Sequence, residues 1–129
     1  VYSWIRVSKS VAVCQKGKRV GNISLEIQKT IESSGYNPVR VLTGHGIGGK
    51  LHEDPLIPCI LRGKIENSPL IKEGMTLAIE VIYAQKSPEV TVEHDGWTIC
   101  TKDGKISALF EETIAVTENG PLVLTPMDF

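Results

Sequence analysis

The sequence has little of what marks the specialised classes of protein. No apolar run approaches the ~20 residues that a membrane-crossing helix needs. No basic-then-apolar stretch opens the chain, which begins Val1-Tyr2-Ser3-Trp4. Charge is nearly balanced, 14 basic against 15 acidic residues for a net charge of -1, so no nucleic-acid or membrane-surface partner is expected. Cysteine is scarce: three residues, Cys14, Cys59 and Cys100, an odd number without zinc-ribbon spacing. That excludes a disulfide framework, fits a reducing compartment and leaves the thiols as small apolar fillers. A cytoplasmic location is the expectation. Histidine is as rare, with three residues, and no aspartate precedes Asp54. No segment is repeated or of low complexity.

What remains is an ordinary globular composition, 41% hydrophobic and 22% charged, over 129 residues. That length suits one compact domain spanning residues 1–129. Ser3 to Gln15 mixes apolar and polar residues with many β-branched side chains and is read as a short helix. Ile23, Leu25, Ile27 and Ile31 predict an amphipathic helix, with Asn22 as N-cap and Gly35 just past its end. Val39 to Leu42 reads as a short strand. Thr43 to Pro58 is rich in Gly, His and Pro and reads as a loop, as does Asn67-Ser68-Pro69. From Met75 onward the pattern is strand: Met75–Tyr83, Val90–Val92, Trp97–Cys100, Ile106–Val116 and Leu122–Leu124. Asp103-Gly104 is the expected hairpin turn. Helices followed by an antiparallel sheet make an α+β chain, with helices on one sheet face and the other free to build a site.

Two of the three histidines lie close together, in Gly44-His45-Gly46-Ile47-Gly48 and His52-Glu53-Asp54-Pro55. Glycines flanking His45 allow unusual backbone angles and close approach to a ligand; a solvated flexible loop would look the same locally. Glu80 sits in an apolar strand, on the same face as Ala78 and Ile82 by alternation. Glu111 and Glu112 point to opposite faces of theirs, so one of the two faces inward. A carboxylate within a buried strand is costly unless it is paired or bound to a metal. One imidazole with two strand carboxylates suits a first-row divalent ion, and such an ion would activate water. On the residues alone, a metallohydrolase and a set of edge-strand carboxylates facing solvent both stand.

The motifs go further. The GHGIG stretch followed by His52-Glu53-Asp54-Pro55 resembles the GHGIG…HExP signature of type I methionine aminopeptidases. Glu73 to Glu80 resembles the EGMxFTIEP segment of that family, Asp95-Gly96-Trp97-Thr98 its DGWT, and Ser107 to Thr113 its SAQFEHT. The four motifs occur in the family's order and the resemblance covers Asn22 to Thr125. It implies the pita-bread (creatinase/aminopeptidase-like) fold, here in part: two helices on an antiparallel sheet. It implies two divalent metal ions, cobalt, manganese, iron or zinc, and release of the initiator methionine from nascent proteins. His45, Glu80 and Glu111 match metal ligands, the last bridging the two ions. His52 matches the histidine that hydrogen-bonds the scissile amide and steadies the tetrahedral intermediate. Glu80 matches the group that handles the proton of the attacking water, so His52 and Glu80 are the catalytic pair. His45, His52, Leu51 and Trp97 match substrate-contacting positions, Leu51 and Trp97 at the methionine pocket. The implied partners are the N-terminal methionine of nascent peptides and the ribosome, for a protein acting as a monomer.

Departures accompany the match. Val81 stands where the family has Pro, Glu112 where it usually has His, and Leu51 where an aromatic is common. The family's two aspartate ligands lie on a hairpin ahead of the first helix, and Val1–Leu42 contains no Asp. The chain thus holds three of five metal ligands. It is expected to be the C-terminal portion of a methionine aminopeptidase catalytic domain, inactive by itself. A non-catalytic binding module of the same fold and a proline-specific, prolidase-like relative are the alternatives.

Overall fold

The computed structural model describes residues 7–126. Two helices, α1 (Val7–Ala12) and α2 (Val20–Ser33), precede eight strands: β1 (Asn37–Pro38), β2 (Thr43–Ile47), β3 (Glu53–Pro58), β4 (Thr76–Ala84), β5 (Val90–Val92), β6 (Ile99–Thr101), β7 (Ser107–Thr117) and β8 (Gly120–Val123). A 3-10 turn, Ile65–Asn67, lies between β3 and β4. The expected helix near the N-terminus is α1; the expected residues before Val7 lie outside the described ones.

Helix α2 forms as its periodicity predicts, and Ile23, Ile27 and Ile31 are fully buried. Each such side chain contributes roughly 1.5–3 kcal/mol relative to exposure. Its start lies earlier than expected. Arg19, in extended backbone, is the N-cap, and Asn22 is the third helical residue. The Asn22 side chain accepts the Arg19 backbone N–H at 2.9 Å, the reach-back half of a capping box. The end is as expected: Gly35 takes φ +81°. Its N–H donates to the Glu32 carbonyl and that of Tyr36 to the Ile31 carbonyl, so two orphan carbonyls are satisfied by a Schellman motif.

The main sheet runs β3-β2-β4-β7-β8, all neighbours antiparallel, with β1 pairing the far end of β4 beside β2. Leu77, Ile79 and Val81 of β4 and Ile114 and Val116 of β7 are buried in one cluster with the helix residues. Alternation therefore turns Ala78 and Glu80 to the opposite face. The α+β expectation and the helix-covered face hold.

Three local expectations are corrected. The stretch 43–58 is a hairpin, β2 and β3, with a register shift between Gly44 and Gly46. The strand expected at Val39–Leu42 is instead Asn37–Pro38. The Val39 N–H still reaches the Ile82 carbonyl at 2.9 Å, after which the chain leaves the sheet. Asp103-Gly104 turns the chain without joining partners, since β6 pairs β5 and β7 pairs β4. The tight hairpin turn is at Asp95-Gly96, where Gly96 has φ +71°. Asp103 is drawn elsewhere, its carboxylate accepting the backbone N–H groups of Ser87 and Lys105.

Candidate metal centre

The middle of the sheet gathers the chemistry. On β4 and β7, Glu80 lies directly opposite Glu111, so both carboxylates leave the same face side by side. On the other side of β4, His45 lies opposite Ala78, two residues from Glu80 and on its face. One ligand atom from each of His45, Glu80 and Glu111 can be chosen so that all lie within 4.8 Å of one another. Three adjacent strands thus bring together the three side chains expected to hold metal. Register sets the faces of the two consecutive glutamates. Glu112 lies opposite buried Ile79 and shares the parity of the core, while Glu111 faces outward with Glu80.

His45 is buried, 5% exposed, and its Nδ1 lies 2.8 Å from the Gly46 carbonyl oxygen. A carbonyl only accepts, so that contact puts a proton on Nδ1, and the neutral ring then has its Nε2 lone pair outward. Nε2 then stands 3.5 Å from Glu80 Oε1. In this tautomer two acceptors face each other, beside a second carboxylate. Burial, then the Glu111 charge, push the Glu80 carboxyl above its ordinary value, and His45 works against them. The arrangement is poor for bare groups and good around a cation, and the mixed N/O donor set is that of a first-row divalent ion. The backbone is secured nearby: Cys59, fully buried, donates its thiol to the Glu80 carbonyl at 3.4 Å.

The glycines around His45 act differently from the sequence expectation. None of Gly44, Gly46 or Gly48 has positive φ. Each instead marks a close approach. A Cβ on Gly44 would lie 2.4 Å from the Ala78 carbonyl oxygen, and one on Gly46 2.3 Å from that of Asp54. Only glycine lets β2 sit this tightly between its neighbours.

His52 lies in the turn after β2, exposed, with its ring edge-on to His45 at 4.3 Å between centroids. Leu51, beside it, is 68% exposed. Trp97 lies on the separate two-stranded sheet formed by β5 and β6, 86% exposed, in a turn held by the Asp95 carboxylate. The structure thus brings His45, His52, Glu80 and Glu111 into one region and leaves Leu51 and Trp97 open to solvent. Sequence reasoning passed over Glu53, whose carboxylate accepts the Lys50 backbone N–H at 2.8 Å across that turn.

The model of metallopeptidase family M24 matches residues 7–118. The chain belongs to this family. Methionine aminopeptidase 1 of Bacillus subtilis is 44% identical over 117 residues, 91% of this chain and 46% of that protein. The crystal structure of methionine aminopeptidase from Thermotoga maritima superposes with a TM-score of 0.88 at 42% identity, covering 98% of this chain and 50% of that one. The prolidase of Pyrococcus furiosus matches at TM-score 0.67 and 22% identity, a likeness of fold alone. The fold is therefore the pita-bread fold of these metallopeptidases, and this chain spans about half the length of the curated relatives it matches. M24 membership carries divalent metal dependence with it. Among the described residues no helix is long and apolar enough to cross a membrane.

Proposed function

We propose that this chain forms one wall of a methionine aminopeptidase active site. The observation that carries the reading is the convergence of His45, Glu80 and Glu111 from three neighbouring strands. Its support in the comparisons is that relatives at about 40% identity bear that name.

In this reading His45 Nε2 and the Glu80 and Glu111 carboxylates would supply this chain's share of the ligands to divalent ions, manganese, iron, cobalt or zinc. Bound there, such ions would lower the pKa of water toward neutrality and polarise a carbonyl. The chain's own groups do the rest. The Nδ1–Gly46 contact keeps the His45 lone pair aimed at the ligand position. Glu80, half-buried and facing a second carboxylate, accepts the proton of an attacking water at a carboxylate oxygen. His52, standing against His45, hydrogen-bonds the scissile amide and stabilises the oxyanion as it forms. Leu51 and Trp97 contribute apolar surface to the side chain of the N-terminal methionine. The substrates are nascent chains with a small second residue, met in the cytoplasm near the ribosome by a monomeric enzyme.

Hydrolysis of Met-Ala-Ser against Ala-Pro by the natural gene product, with manganese or cobalt supplied, tests the assignment. Cleavage of the methionyl peptide alone is expected. Preference for Ala-Pro would make the protein a prolidase-like relative, and absence of divalent binding would make it a binding module. Residues 1–129 alone, with three ligands of the implied five, are expected to show no turnover. Robust activity from them would refute the ligand count.

A further inference from the structure

The turn that carries His52 has a fastening of its own. Glu53, the first residue of β3, reaches back over the turn. Its Oε1 accepts the Lys50 N–H at 2.8 Å. Its carboxylate lies over Gly48 so closely that a Cβ there would stand 2.3 Å from Oε2 and 2.9 Å from Cδ. The Gly48 N–H also donates to the Lys50 carbonyl at 3.1 Å, closing the turn from within. The base of Glu53 is fixed, because it is in register with Gly46, and Gly46 in turn is the residue whose carbonyl orients His45. A single carboxylate therefore ties the segment holding Leu51 and His52 to the strand that presents His45. His52, exposed and with no hydrogen bond of its own among the described residues, has no other fastening besides its edge contact with His45.

We infer that Glu53 is a positioning residue, a latch that holds His52 against His45 by closing the Gly48–His52 turn. A charged acceptor on a backbone N–H makes one of the stronger turn contacts. Glycine at 48 leaves the carboxylate the space where a Cβ would be. The latch acts through His52 alone and touches no group that binds metal. The inference rests on the proposed role of His52 for its kinetic consequence, and on geometry for the latch itself.

Two measurements test it. Amide hydrogen exchange at Lys50 is expected to quicken about tenfold in Glu53→Ala, the loss of one hydrogen bond. In Glu53→Gln, which keeps the acceptor oxygen, the rate is expected to stay near that of the unsubstituted protein. Exchange unchanged in Glu53→Ala would overturn the latch. In the natural gene product, Glu53→Ala is expected to lower kcat on a methionyl peptide by roughly 10- to 100-fold, the scale of a misplaced catalytic group. Metal content and KM are expected to hold, and Glu53→Gln to restore most of the rate. In a His52→Ala background the same substitution is expected to cost nothing further. An equal loss in both backgrounds, or a loss of metal, would overturn the assignment to His52. No turnover by the unsubstituted protein would sink the aminopeptidase reading, and the exchange rates would still decide the latch.

Discussion

Replacing Glu80 by glutamine is expected to change stability in opposite directions with and without metal. Glu80 and Glu111 are directly opposite on antiparallel strands, with ligand atoms within 4.8 Å. Two unit charges at that separation repel by about 3.5 kcal/mol at an effective dielectric of 20 and about 0.9 kcal/mol in water. Glu111 is exposed, so the lower end applies, and about 1 kcal/mol is the expected gain when one charge is removed. Burial of Glu80 adds to the same direction. Its folded pKa is raised above the ordinary 4.5. A raised carboxyl contributes stability that is fully present below 4.5 and lost as pH rises through the folded value. The advantage of Glu80→Gln therefore grows as pH rises from 4.5 through the folded value and is complete above it. At pH 7.5 in EDTA the variant should melt about 4 °C higher. With manganese the order reverses. Metal at a hundred times its Kd stabilises the unsubstituted protein by about 2.7 kcal/mol, and the variant, short of one ligand, forfeits most of that. Melting curves with EDTA and with manganese make the assay. A variant less stable than the parent in EDTA, or one that keeps the whole manganese shift, would refute the reasoning.

His52→Ala in the natural gene product is expected to slow methionyl-peptide hydrolysis by roughly 10²–10³ with metal content intact, as for an oxyanion donor; loss of metal would make His52 a ligand instead. Gly46→Ala is expected to cost about 2 kcal/mol or more in urea denaturation, because its Cβ would lie 2.3 Å from a backbone oxygen that cannot yield without moving β3. The Cys14 and Cys59 thiols, fully buried and pushed up by burial to about 12 and about 11, should resist a disulfide reagent at pH 8 until the protein unfolds. Prompt labelling of either in the folded protein would contradict its placement.

Where one face of an element is apolar, the sequence was readable. The isoleucine spacing of α2 and the apolar run of β4 both fold as their periods require. The failures cluster where side chains are small. Gly44, Gly46 and Gly48 alternate with His45 and Ile47, which is a period of two. The residues that carry the period have no side chain to score, so the strand reads as a loop. Its true signal is absence: at Gly44 and Gly46, glycine on the parity where neighbouring backbone leaves no room. The hairpin expected at Asp103-Gly104 failed for another reason. Asp95-Gly96 and Asp103-Gly104 have the same local chemistry, and only strand pairing outside the turn separates the hairpin from the crossing. Asn22 looked like an N-cap because Asn serves equally one turn further on, reaching back to the cap's own N–H.

The site itself is a consequence of register, and register follows from the core. A one-residue slip of β7 against β4 would send Glu111 to the helix side and bring Glu112 to the ligand face. Nothing in the local sequence Phe110-Glu111-Glu112-Thr113 forbids that. What forbids it lies further along the strand. Ile114 and Val116 are buried at 0% and 2% exposure, packed with Leu77 and Ile79 beneath the helices. A slip would turn both toward solvent, forfeiting roughly 1.5–3 kcal/mol for each. That exceeds the repulsion of about 1 kcal/mol estimated above for two facing carboxylates. Burial of two aliphatic residues near one end of β7 thus holds two like charges face to face at its middle, and a cation is what turns that opposition into a site.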